Sequence, residues 1–200
     1  MSTQPAPISF DAEEGTDWAA LGGTIVVFVD AEKTLCPGAE AVDRLMGGAL
    51  SRALEDPGFK AKAGTTVVFR WPGGLAAKAV VLACIGPEPD AAAARRSGGA
   101  IAKALPKGAV AIATTGAGAP ERLAELVSGV ALRLYEFREY KAEEPEDEPA
   151  EPRAIRVLAE APETLAGLSA PHAALVEGVF FTRDLVNEPA NRLTTDEFAA

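Results

Sequence analysis

The sequence is short of the side chains that most hydrolytic and redox sites need. Among 200 residues there is one histidine, His172, and there are two cysteines, Cys36 and Cys84. A Ser-His-Asp or Cys-His system would therefore have to use His172 as its base. The cysteines lie far apart and form no C-x-x-C pair, which speaks against a zinc site or a disulfide framework. Reduced thiols in a cytoplasm are the simpler expectation. Positive charge is also scarce, with Lys+Arg 19 against Asp+Glu 29 and a net charge of -10. Phosphate-rich partners would be repelled, so neither nucleic acid nor an anionic membrane surface is expected to bind. The N-terminus, MSTQPAPISFDAEEG, lacks the basic start and apolar run of a signal peptide. No uninterrupted apolar stretch approaches the ~20 residues that span a bilayer. Neither G-K-[ST] nor a complete G-x-G-x-x-G occurs, which removes the usual phosphate-binding fingerprints.

What is present is an ordinary globular composition, 48% hydrophobic and 24% charged, enough for one good core. Thr24 to Asp30 (TIVVFVD) is a β-branched run suited to a strand buried on both faces. Ala39 to Leu54 carries apolar residues at helical spacing and stops at Asp56-Pro57-Gly58. Thr65 to Trp71 and Lys78 to Ile85 read as two strands joined around Pro72-Gly73-Gly74, a possible hairpin. Asp90 to Leu105 reads as an Ala-rich helix despite Gly98-Gly99. Ala109 to Thr114 is a fourth strand. From about Pro120 to Tyr140, Leu123, Leu126, Val127, Val130, Leu134 and Phe137 form one apolar helical stripe. Ala154 to Ala159 is a further strand, and a helix is expected over roughly 173–187, ended by Glu188-Pro189. Strands alternating with helices predict an α/β fold with a mixed, largely parallel sheet flanked by helices on both faces.

Four features offer candidate chemistry. His172 sits in SAPHAAL and reads as a surface or first-turn residue of the last helix. Cys36, in TLCPG, stands where a helix N-terminus could lower a thiol pKa, although a small buried thiol explains it as well. Glu143, Glu144, Glu146, Asp147, Glu148 and Glu151 bring charge to a proline-broken stretch but no fixed geometry, so they read as a solvated loop rather than a cation site. Thr114 to Pro120 (TTGAGAP) lies between strand and helix, where α/β folds place anion-binding turns. Its Gly116 and Gly118 also suit an ordinary β–α connection. From the residues alone, no catalytic, cofactor-binding or metal-binding set is assembled.

Val176-Glu177-Gly178-Val179 followed by Arg183 to Asn191 (RDLVNEPAN) closely resembles the E-G-x-x-x-x-R-D-L-V-N-x-P-x-N signature of M17 leucyl aminopeptidases. Gly129 to Lys141 (GVALRLYEFREYK) is similar to a helix of that family, and the order of helix, strand, Gly-rich turn and strand from Leu50 to Gly86 matches its early part. The resemblance implies an N-terminal, macro-domain-like α/β domain at 1–160. A linker helix would occupy 161–192, and a catalytic domain would begin at 193–200. Thr194 to Glu197 has the form of a capping box, which suggests a helix that continues beyond Ala200.

The family's activity is removal of N-terminal residues from peptides with two divalent metal ions, zinc or manganese. Its lysine and carboxylate ligands, including an N-T-D-A-E-G-R motif, have no counterpart here, so no site residue carries over. This piece is expected to be inactive alone. It would serve assembly and active-site access in a cytoplasmic hexamer, with its own catalytic domain as partner and peptides as the parent's substrates. Asn187, Pro189 and Asn191 match the signature and read as structural: Asn187 closing a helix, Pro189 forcing the break, Asn191 ordering the next turn. The rival reading is a stand-alone macro-like module that holds a nucleotide or ADP-ribose at TTGAGAP.

Overall fold

The computed structural model describes residues 4–86, 90–137, 139–140 and 153–189. Among these residues six strands form one sheet: β1 (Ile8–Ala12), β2 (Thr24–Val29), β3 (Thr66–Arg70), β4 (Ala79–Cys84), β5 (Val110–Ala113) and β6 (Ile155–Ala159). Their order is β1-β6-β5-β2-β4-β3. Every pairing is parallel except β3 with β4 at one edge. The antiparallel pair is the expected hairpin. Strands β2, β4 and β5 are buried at every position, as continuous apolar runs in a doubly covered sheet should be.

The period of two along β2 assigns its residues to two cores. Val26 and Phe28 face a layer made by α3 (Ala91–Ala104), α4 (Pro120–Arg133) and the start of α5 (Pro162–Asn187), where Ile101, Leu123, Leu126, Val127, Val130 and Leu165 pack. Ile25, Val27 and Val29 face α1 (Pro37–Leu45) and α2 (Ala49–Glu55), against Ala39, Val42, Leu50 and Leu54. Helices thus cover both faces of a mixed, mostly parallel sheet.

Four boundaries differ from the sequence reading. An edge strand, β1, precedes the first strand expected. The single helix expected over Ala39 to Leu54 is two, because Gly47 and Gly48 adopt φ of 63° and 80°, a left-handed turn that glycine makes without strain. Asp43 then caps the second helix, its carboxylate accepting from Leu50 N at 2.7 Å and Ser51 Oγ at 2.5 Å. Helix α4 stops at Arg133 rather than near Tyr140. The last helix begins at Pro162, eleven residues before the expected start, and contains Pro171. Proline breaks the bond to the carbonyl four residues back, which is that of Gly167, and both residues are exposed so water can serve that oxygen.

By length and mean hydropathy (1.2 over its most apolar window) α5 is the one helix among the described residues that could cross a membrane, although no unbroken apolar run announces it. It lies instead on α4 and β1, with Leu165, Ser169, Val176, Phe180 and Asp184 buried.

Candidate functional site at the strand ends and the α5 junction

Parallel α/β sheets place ligand sites at the carboxyl ends of their strands. Glu13 directly follows β1 and is 8% exposed. Its Oε2 accepts from Thr115 N at 2.9 Å, within the TTGAGAP turn. Its Oε1 lies close enough to the start of α1 that a Cβ at Gly38 would stand 2.7 Å away. The turn is therefore already holding a carboxylate of its own chain. The neighbouring Thr114 hydroxyl donates to Leu158 O at 2.8 Å, tying β5 to β6.

Cys36 occupies the N-cap position of α1, and its Sγ donates to Gly116 O at 3.5 Å. A helix N-terminus should favour a thiolate, yet here the thiol is pushed up from 9.0 to about 11, first by burial and then by the carboxylates of Asp30 and Glu13. Burial also pushes the Cys84 thiol up. This edge carries negative potential, which disfavours both a reactive thiolate and a phosphate ligand. Glu13 escaped the sequence reading because the strand that positions it was not recognised.

His172 stands in the interior of α5, half-buried, and not at the helix start expected for it. Cys36 and the TTGAGAP turn meet, while His172 lies with α4 and α5. Among the described residues no group of three or more His, Cys, Asp or Glu side chains is placed to hold a metal. The acidic run from Glu143 to Glu151, Asn191, and residues 193–200 lie outside the described residues.

The RDLVNEP segment forms a second cluster. Tyr135, just past α4, is 9% exposed. Its hydroxyl donates to Asp184 Oδ1 at 2.8 Å and accepts from Asn187 Nδ2 at 3.0 Å. The Arg183 guanidinium covers the same ring at 3.9 Å from its centroid, and Phe180 meets it edge-on at 5.1 Å. Burial and the Asp184 carboxylate push the phenol pKa up. Asn187 Nδ2 also donates to Arg183 O at 2.8 Å. Asn187 thus does more than close the helix: it joins the helix end to Tyr135. Glu188, at ψ 131° before Pro189, ends α5 as expected, and its carboxylate accepts from Tyr140 Oη. The two segments that carry the family resemblance pack on one another.

These features define a class: a mixed α/β domain whose strand-end turn is filled by its own glutamate and whose last helix is locked at its exit. The pattern of the cytosol aminopeptidase family, N-terminal domain, matches residues 26–144. The chain belongs to that family and is its N-terminal domain. A probable cytosol aminopeptidase of Cereibacter sphaeroides is 42% identical over 99% of this chain and 39% of its own length. One of Dinoroseobacter shibae is 39% identical over 98% and 39%. Among solved structures, a tomato leucine aminopeptidase mutant shares the fold with TM-score 0.71 at 20% identity, over 98% of this chain and 41% of its own. The bottromycin maturation enzyme BotP, also solved with Mn, aligns with TM-score 0.61 at 26% identity over 88% of this chain and 35% of its own. The chain spans about two fifths of the length of the curated relatives it matches.

Proposed function

We propose that this chain is the non-catalytic N-terminal domain of a cytoplasmic, metal-dependent leucyl aminopeptidase, seating a catalytic domain that follows it and serving assembly and access to that domain's site. Residues 1–160 would form the domain body, 161–192 the connecting segment that contains α5, and 193–200 the beginning of the catalytic part. The observation that carries this reading is the outward face of α5. Leu175, Phe181 and Val186 are 49%, 56% and 79% exposed, and Gly178 beside them has nothing within 4 Å. A helix buries one face and leaves the other polar when water is its only neighbour. Large exposed apolar side chains gathered on the helix that runs toward the signature suit a surface covered by further polypeptide. The family match, and relatives more than twice as long, support the identity of that covering as the catalytic domain.

Two divalent metal ions, zinc or manganese, would supply Lewis acidity and an activated water in the catalytic domain. The strand-end edge of this chain does not fit them: its Glu13 is committed to Thr115 N–H, and among the described residues no three His, Cys, Asp or Glu side chains gather to hold a metal. The test compares hydrolysis of leucine p-nitroanilide, with Mn²⁺ or Zn²⁺, by this chain and by the product of its gene read past codon 200. The expected result is hydrolysis by the longer product alone. Activity in the 200-residue chain, or a stop codon after Ala200, would overturn the proposal.

A further inference from the structure

Strand β3 is the outer strand of the sheet on the side opposite β1, and among the described residues no strand lies beyond it. Antiparallel pairing turns the backbone groups of alternate residues toward the partner strand. Cys84 N donates to Thr65 O and Trp71 N to Lys78 O, both at 2.9 Å, so in this register Val67 and Phe69 also spend their backbone groups on β4. Thr66, Val68 and Arg70 hold theirs toward the open side. A row of N–H and C=O groups without a strand opposite is a template for one. The charge around this edge is also unlike the rest of the chain. Residues 57–86 contain Lys60, Lys62, Arg70 and Lys78 and no aspartate or glutamate, in a chain of net charge -10. All four are exposed. Trp71, directly after β3, is 75% exposed with φ of 52°, a conformation uncommon in a bulky residue. Tryptophan is a frequent energetic anchor of interfaces.

We propose that the β3 edge binds an extended, acidic segment of a partner polypeptide, which joins the sheet as a further strand. Thr66, Val68 and Arg70 supply the ladder, their N–H groups donating to the segment's carbonyls and their carbonyls accepting from its N–H groups. Carboxylates on the segment answer Lys60, Lys62 and Arg70, and an apolar side chain packs on Trp71. The positive edge selects this occupant. A second copy of the chain would set one basic edge against another, which is how charged edges deter self-pairing. Nucleic acid could answer the charge, but it has no amide ladder to offer and the chain's net charge repels it. The site lies across the sheet from α5, which packs on β1 and β6. Occupancy of the β3 edge therefore leaves the outward face of α5 clear, and it is independent of any peptidase activity.

The probe is the end-blocked peptide EVEVEVF, titrated to about 2 mM into the isotopically labelled 200-residue chain and followed by NMR, since short peptides bind in the micromolar to millimolar range. Two controls separate charge from backbone. KVKVKVF keeps the strand pattern and reverses the charge, while EPPEPPEF keeps the charge on a proline-rich backbone that cannot form a ladder. Expected are saturable shifts along β3 and slowed amide exchange at Thr66, Val68 and Arg70, with little change at Val67 and Phe69. Both controls should bind at least tenfold more weakly, and Arg70→Glu and Trp71→Ala should each weaken EVEVEVF at least fivefold while keeping a folded spectrum. Shifts that never saturate, equal binding of either control, or undiminished binding in both variants would overturn the proposal. So would protection of the three amides without peptide that rises with protein concentration, because a second copy would then occupy the edge.

Discussion

Glu13 spends its carboxylate on the amide of Thr115, in the turn where a nucleotide-binding domain would receive a phosphate oxygen. Calorimetry with ADP-ribose should accordingly give no heat at millimolar ligand. Glu13→Ala should cost about 1–3 kcal/mol in urea denaturation by stranding that amide. Cys36 gives a pH dependence. Its folded thiol titrates near 11 against an ordinary 9.0, so between these values the unfolded chain loses a proton that the folded chain keeps. The Cys36 contribution to stability is therefore intact below pH 9 and falls as pH rises through about 11; denaturation midpoints of the protein and Cys36→Ser, compared across that window, measure it. Tyr135→Phe removes the hydroxyl that donates to buried Asp184 and accepts from Asn187, and a loss of about 1–3 kcal/mol in urea denaturation is expected for those hydrogen bonds. At this scale the sequence was a partial guide. RDLVNEPAN marked Asn187 and Pro189 by resemblance, but the partner of Asn187, Tyr135, lies 52 positions away along the chain, and no periodicity announces such a contact.

Elements were legible wherever a core imposed a strong period. Strands β2, β4, β5 and β6 and the apolar stripe of α4 stand close to where short apolar runs and helical spacing put them. Strand β1 was missed because ISFDA is a half-exposed edge whose burial depends on pairing with β6, almost 150 residues later. The beginning of α5 was missed because Pro171 looks like a first-turn residue, and only the solvent exposure of the broken bond permits it mid-helix. Gly98-Gly99 looked like a weakness in α3, and the packing gives the reason for part of it. A Cβ at Gly98 would stand 2.0 Å from Leu126 O, and one at Gly129 would stand 2.0 Å from Arg95 O. The two helices cross backbone to backbone there, with Arg95 and Glu125 paired at 2.6 Å beside the crossing. Gly98→Ala or Gly129→Ala should destabilise by about 1–3 kcal/mol or more by forcing the helices apart. Gly167→Ala, which meets open space on α5, should be neutral or stabilising by up to ~1 kcal/mol. Chemical denaturation of the three variants measures the contrast.

For the whole molecule, the apolar outward face of α5 predicts opposite responses in two contexts. Phe181→Glu should raise the solubility and lower the self-association of the 200-residue chain, read by light scattering. The same change in the longer gene product should weaken the seating of the following domain and lower its thermal transition. A drop in solubility of the short chain would sink the idea that this face is an uncovered interface. The lock around Tyr135 adds a geometric consequence. Helix α5 runs 26 residues, about 39 Å at 1.5 Å per residue. Its far end is fastened by Asp184, Arg183 and Asn187 to the exit of α4, so it cannot swing as a tether would. A polypeptide attached beyond Pro189 starts from one bearing and one distance. Its effective concentration at the face of α5 is then set by folded geometry rather than by the random statistics of a flexible linker.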